Sequence, residues 1–158
     1  MILRSHSTER TREIGAQVGA RARAGDVVVL QGDLGAGKTT FTQGLGSALG
    51  VLEPVTSPTF VVAREHSGTG LGLVHVDAYR LASIVEWDDL DIDLDQGVNV
   101  IEWGDRIVEA LPADHLVIRF LAEEAKDAED ADDCERILEF TATGPRSADL
   151  LAALEAAA

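Results

Sequence analysis

Apolar positions spaced three or four residues apart predict a helix near the start of the chain. Ile14 and Val18 are four residues apart, which places both side chains on one face of a helix. Ser7 or Thr8 is a suitable N-cap, because a side-chain hydroxyl can accept a hydrogen bond from the first helical N–H groups. Gly25 is expected to end this first segment.

Short apolar runs, several of them rich in β-branched residues, predict six strands. These runs cover residues 26–31, 59–64, 71–76, 98–101, 116–120 and 136–140. The pair 59–64 and 71–76 is expected to form an antiparallel hairpin, with a turn at 66–70 between the strands. Further helices are predicted at 38–49, with Gly50 following it, at 104–111, and after a capping Ser147. Strands alternate with helices early and pair as hairpins later. The sequence therefore predicts a three-layer α/β fold with a mixed, mainly parallel sheet, in a single domain over residues 1–158.

The acidic composition narrows the possible partners. The formal net charge is -15, and Lys38 and Lys126 are the two lysines of the chain. Because nucleic-acid binding relies largely on Lys and Arg neutralising phosphates, direct binding to RNA or DNA by this chain alone is disfavoured. No apolar run approaches the roughly 20 residues of a membrane helix, and the N-terminus has no apolar core typical of a secretory signal. With one cysteine, Cys134, the chain forms no internal disulfide, and we expect a cytoplasmic protein.

A glycine-rich loop between the strand 26–31 and the helix 38–49 carries the strongest chemical signal. Gly32, Gly37, Lys38 and Thr39 fill the pattern G-x(4)-G-K-[ST]. Glycines allow consecutive N–H groups to turn inward, where they and the helix N-terminus bind phosphate oxygens. Lys38 would neutralise the β- and γ-phosphates, and the Thr39 hydroxyl would ligate Mg²⁺. The predicted ATP/ADP contacts in this loop are Gly32, Asp33, Leu34, Gly35, Ala36, Gly37, Lys38, Thr39 and Thr40.

Two acids follow apolar runs further along the chain. Asp77 comes after the strand 71–76, and Glu102 comes after the strand 98–101. Ligands of open α/β sheets bind at the carboxyl ends of strands, so both acids are candidates for holding Mg²⁺ or orienting the attacking water. The sequence leaves open which of them is ligand and which is base. Ser57 and Thr59 flank Pro58 in a non-helical segment, which predicts a loop whose hydroxyls contact the nucleotide.

Four segments together resemble the bacterial TsaE (YjeE) family. They are Gly-Asp-Leu-Gly-Ala-Gly-Lys-Thr-Thr-Phe at 32–41, Thr-Ser-Pro-Thr-Phe at 56–60, His-Val-Asp-Ala-Tyr-Arg-Leu at 75–81 and Val-Ile-Glu-Trp at 100–103. The resemblance covers nearly the whole chain. It implies a P-loop ATPase, slow alone, that acts with TsaD and TsaB subunits in threonylcarbamoyladenosine (t6A) modification at position 37 of tRNAs reading codons that start with A. It also implies that the chain meets tRNA only indirectly, through the complex.

The same resemblance implies roles for individual residues. Glu102 matches the metal-associated glutamate of the family, with Asp77 beside it, so Lys38, Asp77 and Glu102 are the expected catalytic residues. Trp103 matches a position close to the nucleotide. Thr8 and Asp133 match positions near the base or the ribose.

Other functions fit parts of the sequence. A small-molecule P-loop kinase needs an acceptor site, often rich in arginine, whereas the arginines here are scattered. A guanine-nucleotide switch would carry an Asn-Lys-x-Asp motif, which the sequence lacks. A non-enzymatic ATP-dependent binding module stays open as an alternative. Asp91, Asp93 and Asp95 partly mimic a calcium-binding loop, but Gln96 stands where that loop needs glycine.

Overall fold

A computed structural model describes residues 1–58, 61–122 and 135–157. Its seven strands are β1 (Ile2–Ser5), β2 (Val27–Gln31), β3 (Ala63–His66), β4 (Gly72–Asp77), β5 (Gly97–Glu102), β6 (Leu116–Ala122) and β7 (Arg136–Ala142). The α-helices are α1 (Thr8–Gly19), α2 (Lys38–Ala48), α3 (Ile84–Asp88) and α4 (Pro145–Glu155). Three short 3₁₀ turns cover Ala78–Arg80, Gly104–Arg106 and Val108–Ala110.

All seven strands form one mixed sheet in the order β1-β7-β6-β2-β5-β4-β3. The four central strands, β6, β2, β5 and β4, run parallel. The outer strands β7, β1 and β3 pair antiparallel with their neighbours. The predicted three-layer α/β fold with a mixed sheet is confirmed, with the parallel pairing confined to the centre.

Helices cover both faces of the sheet, which explains why the central strands are apolar on both sides. Alternate residues of β2 enter different cores: Val28 and Leu30 pack on one face, and Val27 and Val29 on the other. The first face is covered by α1, α2 and α4, which contribute residues such as Ile14, Phe41 and Leu150. The second face is covered by α3 and the 3₁₀ turns, through Trp87, Ile107 and Leu111.

Helices α1 and α2 pack with their backbones in close approach. A Cβ atom on Gly19 would lie 2.6 Å from the carbonyl oxygen of Leu45, and one on Gly44 would lie 2.7 Å from the carbonyl carbon of Arg12. Carbon atoms in ordinary contact are about 3.5–4.0 Å apart, so neither position has room for a side chain. Since α2 begins at Lys38, this contact fixes the helix that follows the glycine-rich loop.

Several predicted boundaries are confirmed. Ser7 is the N-cap of α1, and its side chain accepts a hydrogen bond from the N–H of Arg10 at 3.1 Å. Gly50 follows α2 with a φ of 78°, the left-handed conformation that glycine adopts easily. The hairpin of β3 and β4 is antiparallel, as predicted.

Other predictions about the elements are wrong. Helix α1 ends at Gly19, and Gly25 lies in the turn before β2. The strand predicted over 59–64 begins only at Ala63, because a turn precedes it in which Val61 and Val62 both donate to the carbonyl of Pro58. That strand also takes in His66, which was expected in the following turn.

The C-terminal half also differs from expectation in detail. The helix predicted over 104–111 is divided into two 3₁₀ turns. The N-cap of α4 is Gly144 rather than Ser147, which lies inside the first turn and accepts hydrogen bonds from the N–H groups of Thr143 and Gly144. Strand β1 and helix α3 were not predicted. Within the described residues, no helix is both long enough and apolar enough to cross a bilayer.

Candidate functional site

The glycine-rich loop joins the end of β2 to the start of α2, as the motif requires. Gly35 and Gly37 have φ values of 80° and 105°, which are unfavourable for residues with a side chain. Gly32, with a φ of 144°, also lies against β6: a Cβ there would be 2.8 Å from the carbonyl oxygen of Phe120. These conformations turn the loop at the N-terminus of α2, where N–H groups without helical partners can bind an anion.

The ammonium group of Lys38 lies inside the curve of this loop. Its Nζ donates to the carbonyl oxygens of Gly32 at 2.7 Å and Asp33 at 2.8 Å. Burial lowers the pKa of Lys38 below its ordinary 10.5, while the negative charges of Glu102, Asp77 and Asp33 oppose this shift. The loop thus holds a positive charge where phosphate oxygens would bind.

The two candidate acids end neighbouring parallel strands and face the same side of the sheet. Asp77 of β4 is the direct register partner of Glu102 of β5. Asp77 comes four residues after Leu73, and Glu102 comes two residues after Val100; both core residues lie on the face of the sheet that α2 covers. Because alternate residues of a strand point to the same face, the side chains of Asp77 and Glu102 also point to the α2 face. Glu102 is 4% exposed and Asp77 is 5% exposed, and both are charges that need partners at such burial.

Glu102 connects β5 to the start of α2. The Thr39 hydroxyl donates to its Oε1 at 3.4 Å, and the imidazole Nε2 of His75 lies 2.8 Å from the same oxygen. Asp77 connects β4 to the segment before β3. It accepts from the Ser57 hydroxyl at 3.3 Å and from the backbone N–H of Tyr79 at 3.0 Å.

Aromatic side chains form one wall of the site. Trp103 follows β5 with a φ of 59°, a left-handed conformation that is rare for a bulky residue. This turn brings its ring to 4.3 Å from the Lys38 ammonium, within the range of a cation–π contact. The Tyr79 ring lies 5.2 Å from that of Trp103, and the Arg106 guanidinium lies 4.9 Å from the Tyr79 ring. Arg106 also donates to the Tyr79 carbonyl at 2.8 Å.

These groups surround an open cavity of about 520 Å³. This volume falls within the roughly 300–1,000 Å³ of small-molecule sites. The lining residues are Leu34, Gly35, Gly37, Lys38, Thr39, Thr40, Ser57, Asp77, Tyr79, Glu102 and Trp103. The structure therefore brings the predicted loop, both predicted acids, Ser57 and Trp103 to one place.

The remaining predicted residues lie elsewhere or outside the description. Gly32, Asp33 and Ala36 belong to the loop but do not line the cavity. Thr8 does not line it either, although Thr11 of the same helix would touch a Cβ placed on Gly37, at 3.6 Å. Thr59 and Asp133 lie outside the described residues.

Two residues at the site were not among the predicted set. Tyr79 supplies part of the cavity wall, and His75 contacts Glu102. The spacing of His75 could have revealed it, because a residue two positions before Asp77 must share its face of the strand. Tyr79 had no such signal, since its position depends on the turn after β4.

The oxygen-bearing side chains at the cavity fit a magnesium ion that also has water and phosphate ligands better than they fit a metal ion ligated only by protein side chains. Among residues 1–58, 61–122 and 135–157, no group of three or more His, Cys, Asp and Glu side chains is arranged to hold a metal ion. Mg²⁺ is usually bound by one or two carboxylates together with waters and substrate phosphates. A hydroxyl and two carboxylates beside the glycine-rich loop would provide such a partial set.

Comparisons with known proteins give a consistent result. The family model described as "Threonylcarbamoyl adenosine biosynthesis protein TsaE" matches residues 5–131. A Streptomyces coelicolor protein named tRNA threonylcarbamoyladenosine biosynthesis protein TsaE is 55% identical over 113 residues, covering 68% of this chain and 76% of the relative. The Bacillus subtilis protein of the same name is 41% identical over 146 residues, covering 90% of this chain and 86% of the relative. The crystal structure of Bacillus subtilis YdiB superposes with a TM-score of 0.77 at 37% identity, covering 98% of this chain and 93% of that chain.

Proposed function

This chain belongs to the TsaE family, and we propose that it is the Mg-dependent ATPase subunit of a complex that makes threonylcarbamoyladenosine at position 37 of tRNAs reading codons that start with A. The relatives are named for threonylcarbamoyladenosine biosynthesis in tRNA. In this proposal the whole chain, residues 1–158, acts as one cytoplasmic P-loop ATPase domain. TsaD and TsaB are its partner subunits, and tRNA is reached only through them.

One observation carries the ATPase part of the proposal. The hydroxyl of Thr39, the residue after Lys38 in α2, lies 3.4 Å from the carboxylate of Glu102. Glu102 is nearly buried and belongs to β5, whereas the glycine-rich loop follows β2. A loop that bound phosphate without a metal ion would need no acid at this position. An acid here fits hydrolysis, which requires charge to be held around the γ-phosphate and a water to be oriented.

The side chains have distinct tasks in the proposed reaction. The loop N–H groups and Lys38 bind the phosphate oxygens, and we expect Nζ to exchange the carbonyls of Gly32 and Asp33 for oxygens of the β- and γ-phosphates. In this reaction water attacks the γ-phosphorus as the bond to the bridging oxygen breaks, and Asp77 would orient that water or take its proton. Trp103, stacked against Lys38, limits the freedom of the ammonium and keeps bulk water from that side.

Thr39 and Glu102, with Asp77 beside them, would hold the magnesium ion. An ion held by these residues would supply positive charge that offsets the negative charge developing on the phosphate oxygens. The Thr39 hydroxyl can present a lone pair to the metal while donating its proton to Glu102, so the two roles are compatible.

The net charge of -15 supports a subunit that acts on proteins rather than on tRNA. A surface of this sign repels phosphate backbones and is attracted to basic protein surfaces. TsaD and TsaB would supply the contacts that make hydrolysis efficient. The purified chain alone is therefore expected to turn over slowly.

The decisive experiment measures ATP hydrolysis by the purified protein, alone and with TsaD and TsaB. Glu102→Gln is the test variant, because it keeps the volume of the side chain and removes its charge. Glu109→Gln is the matched control, since this acid is exposed on a neighbouring 3₁₀ turn. ATP binding is followed in parallel by calorimetry.

We expect hydrolysis to rise with the partners, to be lost in Glu102→Gln and to be unchanged in Glu109→Gln. Tight ATP binding without hydrolysis in any mixture would instead indicate a binding module. Transfer of the γ-phosphate to a small molecule, with no stimulation by the partners, would indicate a kinase.

A further inference from the structure

The buried imidazole of His75 lies directly behind the candidate metal-binding acid. His75 is in the middle of β4, its side chain is 0% exposed, and its Nε2 is 2.8 Å from Oε1 of Glu102. Asp77, two residues later on the same face, ends the strand at the cavity. His75 itself does not line the cavity, so it can reach a substrate only through Glu102.

Both hydrogen bonds found on the Glu102 carboxylate fall on one oxygen. Thr39 and His75 approach Oε1 from opposite elements, α2 and β4. Within the described part of the chain, this leaves Oε2 for a metal ion or a water. A glutamate has three rotatable bonds, so a carboxylate without such contacts would occupy several rotamers.

The chemistry of the pair identifies the donor. A carboxylate only accepts hydrogen bonds, so a hydrogen bond at 2.8 Å to the ionised form of Glu102 comes from an Nε2–H of His75. The other ring nitrogen, Nδ1, is buried and has no hydrogen-bond partner among the described residues. The contact between Nε2 and Glu102 is therefore the one hydrogen bond found for this side chain within the described residues.

We propose that His75 is a positioning residue for the nucleotide site: its Nε2–H fixes the rotamer of Glu102 and so directs the other carboxylate oxygen toward the metal ion. This inference rests on the proposed ATPase function. It assigns to His75 a task like that of outer groups in metal sites, which orient a ligand without touching the metal.

A second buried histidine provides an internal comparison. His66 also has a side chain that is 0% exposed, a carboxylate partner, Glu53 at 2.8 Å from Nδ1, and an unsatisfied second nitrogen. Its partner is more than half exposed and does not line the cavity. The two histidines therefore share burial and pairing, and differ in whether the partner belongs to the site.

The test compares His75→Gln, His75→Leu and His66→Leu in the full-length protein. The side-chain nitrogen of Gln can occupy the position of Nε2 and keep the donor, whereas Leu keeps the volume and removes it. Four quantities are measured: kcat and KM for ATP with the partner subunits, the Mg²⁺ dependence of ADP affinity by calorimetry, and the melting temperature.

For His75→Leu we expect kcat and the Mg²⁺-dependent gain in ADP affinity to fall about 10- to 100-fold, with KM for ATP changed little. His75→Gln should recover most of both losses. His66→Leu should change neither, even if it lowers the melting temperature. Equal kcat and equal Mg²⁺ dependence in the Leu and Gln variants of His75 would overturn the proposal.

Two measurements separate failure of this inference from failure of the proposed function. If the wild-type protein does not hydrolyse ATP, the Mg²⁺ dependence of ADP affinity still decides between the Leu and Gln variants. Nitrogen-15 NMR of the wild-type histidines, assigned with His75→Gln, tests the donor directly and needs neither nucleotide nor a folded Leu variant. A protonated, slowly exchanging Nε2 on His75 is expected, and an unprotonated Nε2 would refute the inference.

Discussion

The contact between α1 and α2 predicts that one methyl group on Gly44 is enough to disturb the phosphate loop. An alanine Cβ at this position would lie 2.7 Å from the carbonyl carbon and 2.8 Å from the Cα of Arg12. The carbonyl oxygen of Arg12 would be closer still, so restoring normal contacts, about 3.5 Å between carbon atoms, requires the helices to separate by at least roughly 0.8 Å. The atoms in the way are backbone atoms, so rotation of a side chain cannot relieve the overlap.

Opposing terms determine the size of the effect. Overpacking of this kind costs about 1–3 kcal/mol, and sometimes more. Alanine gains about 1 kcal/mol over glycine in a helix interior, which offsets part of the cost. Because the overlap is with backbone atoms, the cost lies in the upper part of this range, about 2–3 kcal/mol, and we expect Gly44→Ala to lower the free energy of unfolding by about 1–2 kcal/mol. For a domain of this length, that corresponds to a fall in melting temperature of roughly 2–8 °C.

Gly46→Ala on the same helix is the matched control. The nearest atoms to its Cβ would be side-chain methyl groups of Leu73 and Val55, both at 3.2 Å. These can move by a few tenths of an ångström, so the gain in helix propensity should nearly cancel the crowding, for a change below about 1 kcal/mol.

The assay is thermal unfolding followed by circular dichroism, together with ATP affinity. Because α2 begins at Lys38, its displacement in Gly44→Ala should also weaken ATP binding, while Gly46→Ala should bind normally. If Gly44→Ala were as stable as the wild type, the two helices would not be held at their observed spacing. The link that we draw between helix packing and the loop would then be wrong.

Two further predictions concern titrating groups. Burial lowers the pKa of Lys38 and the charge of Glu102 opposes this shift, so Glu102→Gln should lower the pKa of Lys38 further. NMR of the protein with carbon-13-labelled lysines measures this pKa, and Lys126→Arg assigns the signals of the two lysines. An unchanged pKa of Lys38 would contradict the electrostatic account. The pKa of Asp114 lies below its ordinary 3.8 because of hydrogen bonds from the side chain and backbone of Ser147 at the start of α4. Its ionised form thus stabilises the fold above pH 3.8, and this contribution is lost as the pH falls through the lower folded pKa. The wild type should therefore melt above Asp114→Asn at pH 7, with a difference that shrinks in acid; a difference independent of pH would refute this account.

Local sequence signals were sufficient for the central elements of the fold. Strand β2, the glycine-rich loop and α2 each follow from short-range patterns, and all three were predicted nearly to the residue. The signals failed where distant residues decide the structure. Strand β1 has four residues and pairs with β7, more than 130 residues later. The local pattern of Ile2 to Ser5 does not indicate which strand β1 pairs with.

The turn before β3 shows a different limit. Val61 and Val62 are β-branched, and their preference for strands supported the predicted strand over 59–64. In the structure Val62 has a φ of 67°, and its carbonyl accepts from the N–H of Asp77 at 2.7 Å. A tertiary hydrogen bond to a residue at the cavity accompanies a conformation that valine disfavours. Propensity is overridden here beside the site, where such conflicts are expected.

The arrangement of the site also depends partly on local sequence pattern and partly on the pairing register of distant strands. The period of two in β4 and β5 suffices to place His75 and Asp77 on one face of their strand, and Glu102 on one face of its own. It cannot tell that Asp77 is opposite Glu102, because that depends on the pairing register of two strands separated by α3. In that register, His75 is a diagonal neighbour of Glu102 and lies two residues before the end of β4. The contact of His75 with Glu102 therefore depends on two things: the position of His75 two residues before Asp77, and the pairing register of β4 with β5. A shift of β4 by one residue would remove it by turning every side chain to the opposite face.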